Sequence, residues 1–225
     1  YLETDSKVYY NTSLAPNASM VSSTILNNIN KLAASAELNK YGARFKYSKF
    51  LKVIDQSHES VTSNVTTVEM RRDLRLAIDQ FAEYAIDFGN QFHISSMDGF
   101  NIRSSAFKVL DIANNVYLYD LPNADRTTGT LGLFSLDAPG STTPLIERQN
   151  VGVVNYNTGR MTLNPINIVS GKTKDGQQIM EISVVPESND VIGLQDLYLQ
   201  LDTSNVDMIV DEIASGADPS GSTYT

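Results

Sequence analysis

Apolar and polar positions along this chain follow a helical period first and a strand period afterwards. Between Ser22 and Tyr41, Ile25, Ile29, Leu32, Ala33 and Ala36 recur on one helical face. Asn28, Lys31, Ser35 and Lys40 fall mostly off it. Ser22 or Ser23 suits the N-cap, and Gly42 suits the stop. A shorter helix is expected from Ser48, carrying Phe50, Leu51 and Ile54. Asn27, Asn28 and Asn30 are poor helix formers, so packing must hold the first helix. Lys7–Asn11 reads as an earlier strand, broken by Pro16, Asn17 and Ser19.

From Val61 the pattern changes. Val61–Met70 is rich in β-branched residues and reads as a strand. Leu74, Leu76, Ile78, Ala82, Tyr84, Ile86 and Phe88 suggest a second strand with a bulge, or alternatively an amphipathic helix from Leu74 to Phe88. Ile25, Ile29, Leu32 and Leu51 are expected to pack on a sheet containing Val65 and Val68. After Gly89 the candidate strands are Ala106–Asp111, Val116–Asp120, Gly129–Leu136, Val151–Tyr156, Arg160–Leu163, Gln177–Val185, Asp196–Leu201 and Asp207–Ile213. In VGVVNYNTGRMTL, Asn157-Thr158-Gly159 reads as the turn of a hairpin. Its expected buried face is Val151, Val153, Met161 and Leu163, with Gly159 at positive φ. The fold class expected is therefore α+β. A small N-terminal α/β unit (1–90) precedes a β-rich domain (91–215) and a polar tail (216–225).

Composition removes several possibilities. The 225 residues include no Cys, no Trp and two His, so there are no disulfides and no thiolate zinc site. No apolar run approaches the roughly 18 residues that read as a spanning helix, so no membrane partner is expected. The start, YLETDSKVYY, has neither an initiator Met nor a leader, which suggests part of a longer protein. The formal charge of −9 is uneven. Residues 1–75 hold 10 Lys/Arg against 7 Asp/Glu, and residues 176–225 hold 9 Asp/Glu with no base. The acidic end repels phosphate backbones, so no nucleic-acid partner is expected.

Chemistry-bearing patterns are sparse. His58 and His93 lack ligand-spaced partners and read as hydrogen-bonding residues. No GxSxG elbow, EF-hand loop or phosphate-binding glycine loop is present, and Asp125 and Asp175-Gly176 read as turn residues. Asp207, Asp211 and Glu212 are the nearest approach to the paired carboxylates of a glycosidase. Tyr9, Tyr10, Tyr117, Tyr119 and Tyr156, if exposed, would suit sugar stacking, and a carbohydrate-binding or glycan-cleaving tail module is the alternative function. No catalytic, cofactor-binding or metal-ligating residue is assigned, no cofactor is expected, and the chain is read as not an enzyme.

The stretch LNKYGARFKYSKFLKVIDQSHESVTSNVTTVEMRR, Leu38–Arg72, resembles a segment of the baseplate J-like family. GVVNYNTGRMTLNPINI (Gly152–Ile168) and EISVVPESNDVIGLQDLYLQLD (Glu181–Asp202) look like the C-terminal part of the wedge proteins of T4-like contractile-tailed phages in that family. The resemblance implies a structural protein of the virion's tail baseplate, assembled in the host cytoplasm. It implies a homodimer and ring-forming oligomer around the tail tube, contacts with other wedge proteins, and a missing N-terminal region. Val191, Ile192, Leu194, Leu197, Leu199, Leu201, Val206, Ile209, Val210 and Ile213 are too many for water to surround. They are expected to divide between a core and a subunit contact, whose acidic rim meets bases such as Arg44, Lys46, Arg71 or Arg72 of another chain.

Overall fold

The computed structural model describes residues 1–15, 17–138 and 140–216; the expected tail lies outside them beyond Gly216. The fold is α+β, with two helices near the N-terminus and strands through most of the rest. It divides into two compact units, Tyr1–Val68 with the residues from Asn189 onward, and Glu69–Ser188. This division does not follow the sequential boundary expected at residue 90. The last strand returns to pair with the first, which makes the first unit discontinuous in sequence.

The first unit holds β1 (Leu2–Tyr10), α1 (Ala18–Ala33), β2 (Arg44–Phe45), α2 (Tyr47–Asp55) and the start of β3 (Val61–Arg75). The second holds the end of β3, then β4 (Phe81–Asp87), β5 (Arg103–Ser104), β6 (Lys108–Val109) and β7 (Tyr117–Pro122). It continues with β8 (Thr128–Leu136), β9 (Pro144–Asn155), β10 (Arg160–Ser170), β11 (Lys172–Lys174) and β12 (Gln177–Val184). β13 (Val191–Ile192) and β14 (Leu201–Val210) then complete the first unit. No helix among the described residues is long and apolar enough to cross a membrane.

In the first unit β1 lies between β3 and β14, and it runs parallel to β14, with Thr4 beside Ser204 and Tyr10 beside Val210. Leu2, Thr4, Ser6, Val8 and Tyr10 point inward. Two of those five are polar, and each is paired: the Ser6 and Thr66 hydroxyls lie 2.8 Å apart, and Thr4 Oγ1 donates to Ser204 Oγ at 2.9 Å. That inward polar pair hid the alternation, so the strand begins five residues before the expected Lys7. α1 is capped by Asn17, whose side chain accepts from Ser19 N and Met20 N. Ser22 and Ser23 are therefore interior, and Ser23 Oγ donates back to the Ser19 carbonyl. The helix buries Val21, Ile25 and Ile29 and stops at Ala33, well before Tyr41. The following turns bury Leu38 instead of extending the helix.

α2 buries Phe50 and Ile54, while Leu51 is half-buried, as is Leu32 of α1. Val65 is 60% exposed, so the sheet face under the helices carries Thr66 and Val68 but not Val65. The expected packing of Ile25 and Ile29 inward stands, and the expected places of Leu32, Leu51 and Val65 do not. The second expected strand is also corrected. β3 continues unbroken through Arg71, Arg72 and Asp73 because β12 pairs with it from Met70 to Arg75. The chain then turns through Asp79 at positive φ before β4, and no helix forms over Leu74–Phe88.

In the second unit β4, β10, β9, β8 and β7 form an antiparallel sheet in that order, and β6 pairs with β10. β11, β12 and β3 pair separately, with β5 beside β12. Leu118, Leu131, Leu133, Val154, Met161, Leu163, Ile168 and Ile182 fill the unit's core. The β9–β10 turn forms where expected, but it contains four residues, since Asn155 pairs with Arg160. Even positions of β9 therefore face odd positions of β10: Val154 lies opposite Met161 and Gly152 opposite Leu163. This register turns Val153 outward to 57% exposure, against the expected burial, and buries Val154. Asp196–Leu201 is not a strand; β14 starts at Leu201 and ends at Val210.

Candidate interaction surfaces

The residues weighed for chemistry are separately engaged in local structure. His58 Nδ1 lies 2.8 Å from Ser60 Oγ and accepts from Ser60 N. His93 Nδ1 lies 2.8 Å from Glu187 Oε2 at an exposed position. Asp125 accepts from the backbone N–H groups of Thr127 and Thr128 and from both hydroxyls, which lowers its carboxyl to about 2. Asp175 and Gly176 both take positive φ in the two-residue turn between β11 and β12. Among the described residues no group of three or more His, Asp or Glu is placed to hold a metal ion.

The tyrosines are not the supply of exposed rings expected for sugar stacking. Tyr10, Tyr119 and Tyr156 are buried, and Tyr9 and Tyr117 are half-buried. Asp120, also buried, accepts from Tyr156 Oη at 2.7 Å and from Ile102 N at 2.6 Å. Burial, and then the Asp120 carboxylate, push the Tyr156 phenol far above its ordinary value. Next to this pair the chain turns through Gly99 and Phe100, both at positive φ, and the Phe100 ring stacks on Tyr119. A Cβ at Gly99 would lie 1.8 Å from the Asp120 carbonyl oxygen. On the outward face of β8–β10 a shallow depression is lined by Thr128, Thr130, Val153, Asn155, Arg160 and Thr162. These are the solvent positions of alternating strands, and Arg160 is held by Asp87 at 2.7 Å.

The exposed aromatic pair lies elsewhere, in the first unit. β2 and β13 form a two-stranded antiparallel ribbon, with Phe45 beside Val191 and Arg44 beside Ile192. Ala43 O accepts from Gly193 N at 2.7 Å, and Tyr41 bridges to Tyr198 further on. Phe45, Ala43 and Val191 point inward. Tyr41 and Tyr198 point outward at 58% and 54% exposure, with ring centroids 4.1 Å apart. Ile192 and Leu197 are exposed as well. The surroundings carry both signs: Lys40, Arg44, Lys46 and Lys49 stand with Glu37, Asp190 and Asp196, all of them exposed. Lys49 donates to Glu37, and that bond first, helped by the charges of Lys49, Lys46 and Lys40, lowers the Glu37 carboxyl. Lys40, Arg44 and Lys46 make no ion pair of their own among the described residues.

At the other end of β1 and β14 lies a second exposed apolar group, with acids around it. Asp211 N donates to the Tyr10 carbonyl, Asn11 Nδ2 to the Ala214 carbonyl, and Thr12 N to Ser215 Oγ. Asp211 accepts from Ala214 N and from Thr62 Oγ1, and these two bonds lower its carboxyl. The turn so fixed holds Ile213 out at 81% exposure, with Leu14, Met20 and Val210 also exposed. Glu212 and Glu59 are exposed nearby; Asn11 N donates to the Ser60 carbonyl, next to Glu59. Of the apolar residues in 191–213, Val191 is core, and Ile192, Leu197, Val210 and Ile213 are left at the surface.

The domain family described as "Baseplate structural protein gp6, C-terminal domain III" matches residues 1–73. The matched stretch runs through β1, α1, β2 and α2 and ends inside β3. It therefore takes in the helix-bearing part of the first unit, including Tyr41 and the basic residues of the ribbon. No curated protein matches the chain.

Proposed function

We propose that this chain is a structural component of a viral tail baseplate, a wedge protein that acts by packing and assembly. The observation that carries this reading is the match of residues 1–73 to a baseplate structural domain. In the finer reading, copies associate with one another and with other wedge proteins in the inner ring of a contractile tail. Assembly takes place in the host cytoplasm, and the protein remains in the virion. The reading gives no residue a catalytic role. The two exposed apolar groups of the first unit are the kind of surface assembly requires. The glycan-binding alternative loses its motivation, because the tyrosines proposed for stacking lie inward or half-buried.

The test is to delete the gene in its phage and image the particles. Loss of assembled baseplates, with the protein found by mass spectrometry in wild-type virions, is the expected result. Normal baseplates in the deletion particles would overturn the reading.

A further inference from the structure

We propose that residues 94–100 of the second unit form a lid, which opens as one piece and uncovers the Tyr119 and Phe134 rings. Among the described residues, the stretch between β4 and β5 holds no helix and no extended strand, only the isolated bridge of Phe92 to Pro186. The two ends of the lid are nonetheless fixed. Phe92 is buried, its N–H donates to the Tyr156 carbonyl, and His93 N donates to the Val185 carbonyl. Ile102 is buried too, and its N–H donates to Asp120 Oδ1 at 2.6 Å. Asn101 ties the two ends together. Its Nδ2 donates to the carbonyls of His93 and Val185 at 2.6 and 3.0 Å, and its Oδ1 accepts from Val185 N at 3.0 Å. Residues 94–100 therefore leave and return at one neck, in the manner of an Ω-loop.

Beyond the neck the loop is held lightly. Ser95, Ser96, Met97 and Asp98 are exposed. Phe100 N donates to the Asp120 carbonyl at 3.1 Å, and the exposed Arg126 and Arg103 donate to the carbonyls of Ile94 and Phe100 at 3.2 and 3.3 Å. The rest of the seat is the Phe100 ring. It stacks on Tyr119 with centroids 4.9 Å apart and meets Phe134 edge-on at 5.5 Å. Tyr119 also lies against Gly132, where a Cβ would come within 2.3 Å of the ring. With Phe100 in place Tyr119 is 4% exposed, and burial raises its phenol. The closed position is strained. Gly99 and Phe100 take φ of +76° and +65°, which glycine accepts and a bulky side chain resists. A loop with few bonds and a strained seat, between posts that are buried and bonded, is built to release before the rest of its unit. What release gives up is the stacked ring, so opening changes the surface over β7 and β8 from closed to aromatic.

Gly99→Ala separates the two states, because the added methyl would lie 1.8 Å from the Asp120 carbonyl oxygen only when the lid is closed. Native-state hydrogen exchange and nitration by tetranitromethane, mapped by peptide mass spectrometry, are read on the full chain of wild type and variant. In the wild type Phe100 N–H should exchange through an opening that low urea does not change. Leu131, in β8 with a partner strand on each side, should exchange through urea-sensitive unfolding. The variant should keep the circular dichroism of the wild type and lose at least about tenfold of the Phe100 protection. Its Tyr119 nitration should rise by a similar factor, and its Leu131 exchange should stay slow and urea-sensitive. A wild-type Phe100 N–H that shares the rate and the urea sensitivity of Leu131 overturns the lid, since the loop then opens only with the whole unit. A variant that unfolds overturns it as well, because the closed loop is then part of the core. Lost Phe100 protection without added Tyr119 nitration means that the loop moves and leaves the ring covered, which also overturns the proposal.

Discussion

Asp190 Oδ1 accepts a 2.7 Å hydrogen bond from the backbone N–H of Tyr47, the first residue of α2. The N-cap residue of that helix is Lys46, whose side chain makes no capping bond. A carboxylate 143 residues further along the chain does the work instead. It is placed there by the pairing of Val191 with Phe45, one residue beyond Asp190 and two before Tyr47. A negative group at a helix N-terminus satisfies an orphan donor and complements the helix dipole. Asp190→Ala should therefore cost about 0.5–2 kcal/mol of unfolding free energy, and Asp190→Asn, which keeps an acceptor, should cost less. Urea titration of the two variants checks the order; equal losses would assign the effect to charge alone.

The burial pattern of the first unit separates two residues that the sequence treats alike. Ile29 is fully buried under α1, whereas Val65 faces solvent from β3. Ile29→Ala should destabilise by about 2–5 kcal/mol through lost burial and the cavity left behind. Val65→Ala should stay within about 0.5 kcal/mol, as surface substitutions do. Comparable losses at both positions, measured by denaturant unfolding, would mean that β3 presents its other face to the helices.

Gly159 takes φ +68°, and a Cβ built on it would lie 2.0 Å from the Asn90 carbonyl oxygen. Two penalties therefore coincide: a left-handed backbone that a β-branched residue resists, and a backbone neighbour that cannot rotate away. Gly159→Val should cost about 2 kcal/mol or more and lower the melting temperature of the protein by several degrees. Gly159→Ala should fall between wild type and Val. An unchanged melting temperature in the Val variant would remove this account of the turn.

These cases show what the sequence made legible and what it did not. The two helices, the β9–β10 turn and the α+β class all follow from local period and turn chemistry, which are written in neighbouring residues. The parallel pairing of β1 with β14 is not local, and Thr4 and Ser6 broke the apolar alternation that would have marked β1 in full. The outward turn of Val153 depended on a register that a difference of one loop residue reverses. The bases near the ribbon were visible only as part of the Lys/Arg excess in residues 1–75. Tyr41 and Tyr198 were not visible as a pair, because nothing in either neighbourhood announces that they meet. Nothing in the sequence around Asp190 announces the helix that it caps, for the same reason.

Asp125 supplies a pH marker. Its carboxyl is held at about 2, against an ordinary 3.8, chiefly by the Thr127 and Thr128 backbone N–H groups. A carboxyl lowered in the folded state contributes stability that is present above the unfolded value and is lost as pH falls through the folded one. The Asp125 turn should therefore loosen only between about pH 4 and pH 2. Carboxyl carbon NMR shifts through an acid titration read this directly. A midpoint near 3.8 for Asp125 would show that the turn's hydrogen bonds do not hold in solution.

Tyr156 and Asp120 act at the opposite end of the pH scale. The phenol is buried, donates to Asp120 at 2.7 Å, and is shifted well above its ordinary value of 10.0 by burial first and by the carboxylate second. Tyr156→Phe leaves Asp120 Oδ2 without that donor inside the protein, so at neutral pH it should cost about 1–3 kcal/mol. Above pH 10 the unfolded chain gives up this proton and the folded chain keeps it, so the unfolded state binds fewer protons. Stability then falls with rising pH, by about 1.4 kcal/mol per unit for this one group, in the wild type only. The stability gap between wild type and Tyr156→Phe should therefore be constant up to about pH 9 and narrow above pH 10. Denaturant unfolding of both proteins at a series of pH values from neutral to alkaline measures the gap. A gap that stays constant across the whole range would mean that Tyr156 titrates in the folded protein as it does in water, and that the buried pair is open to solvent.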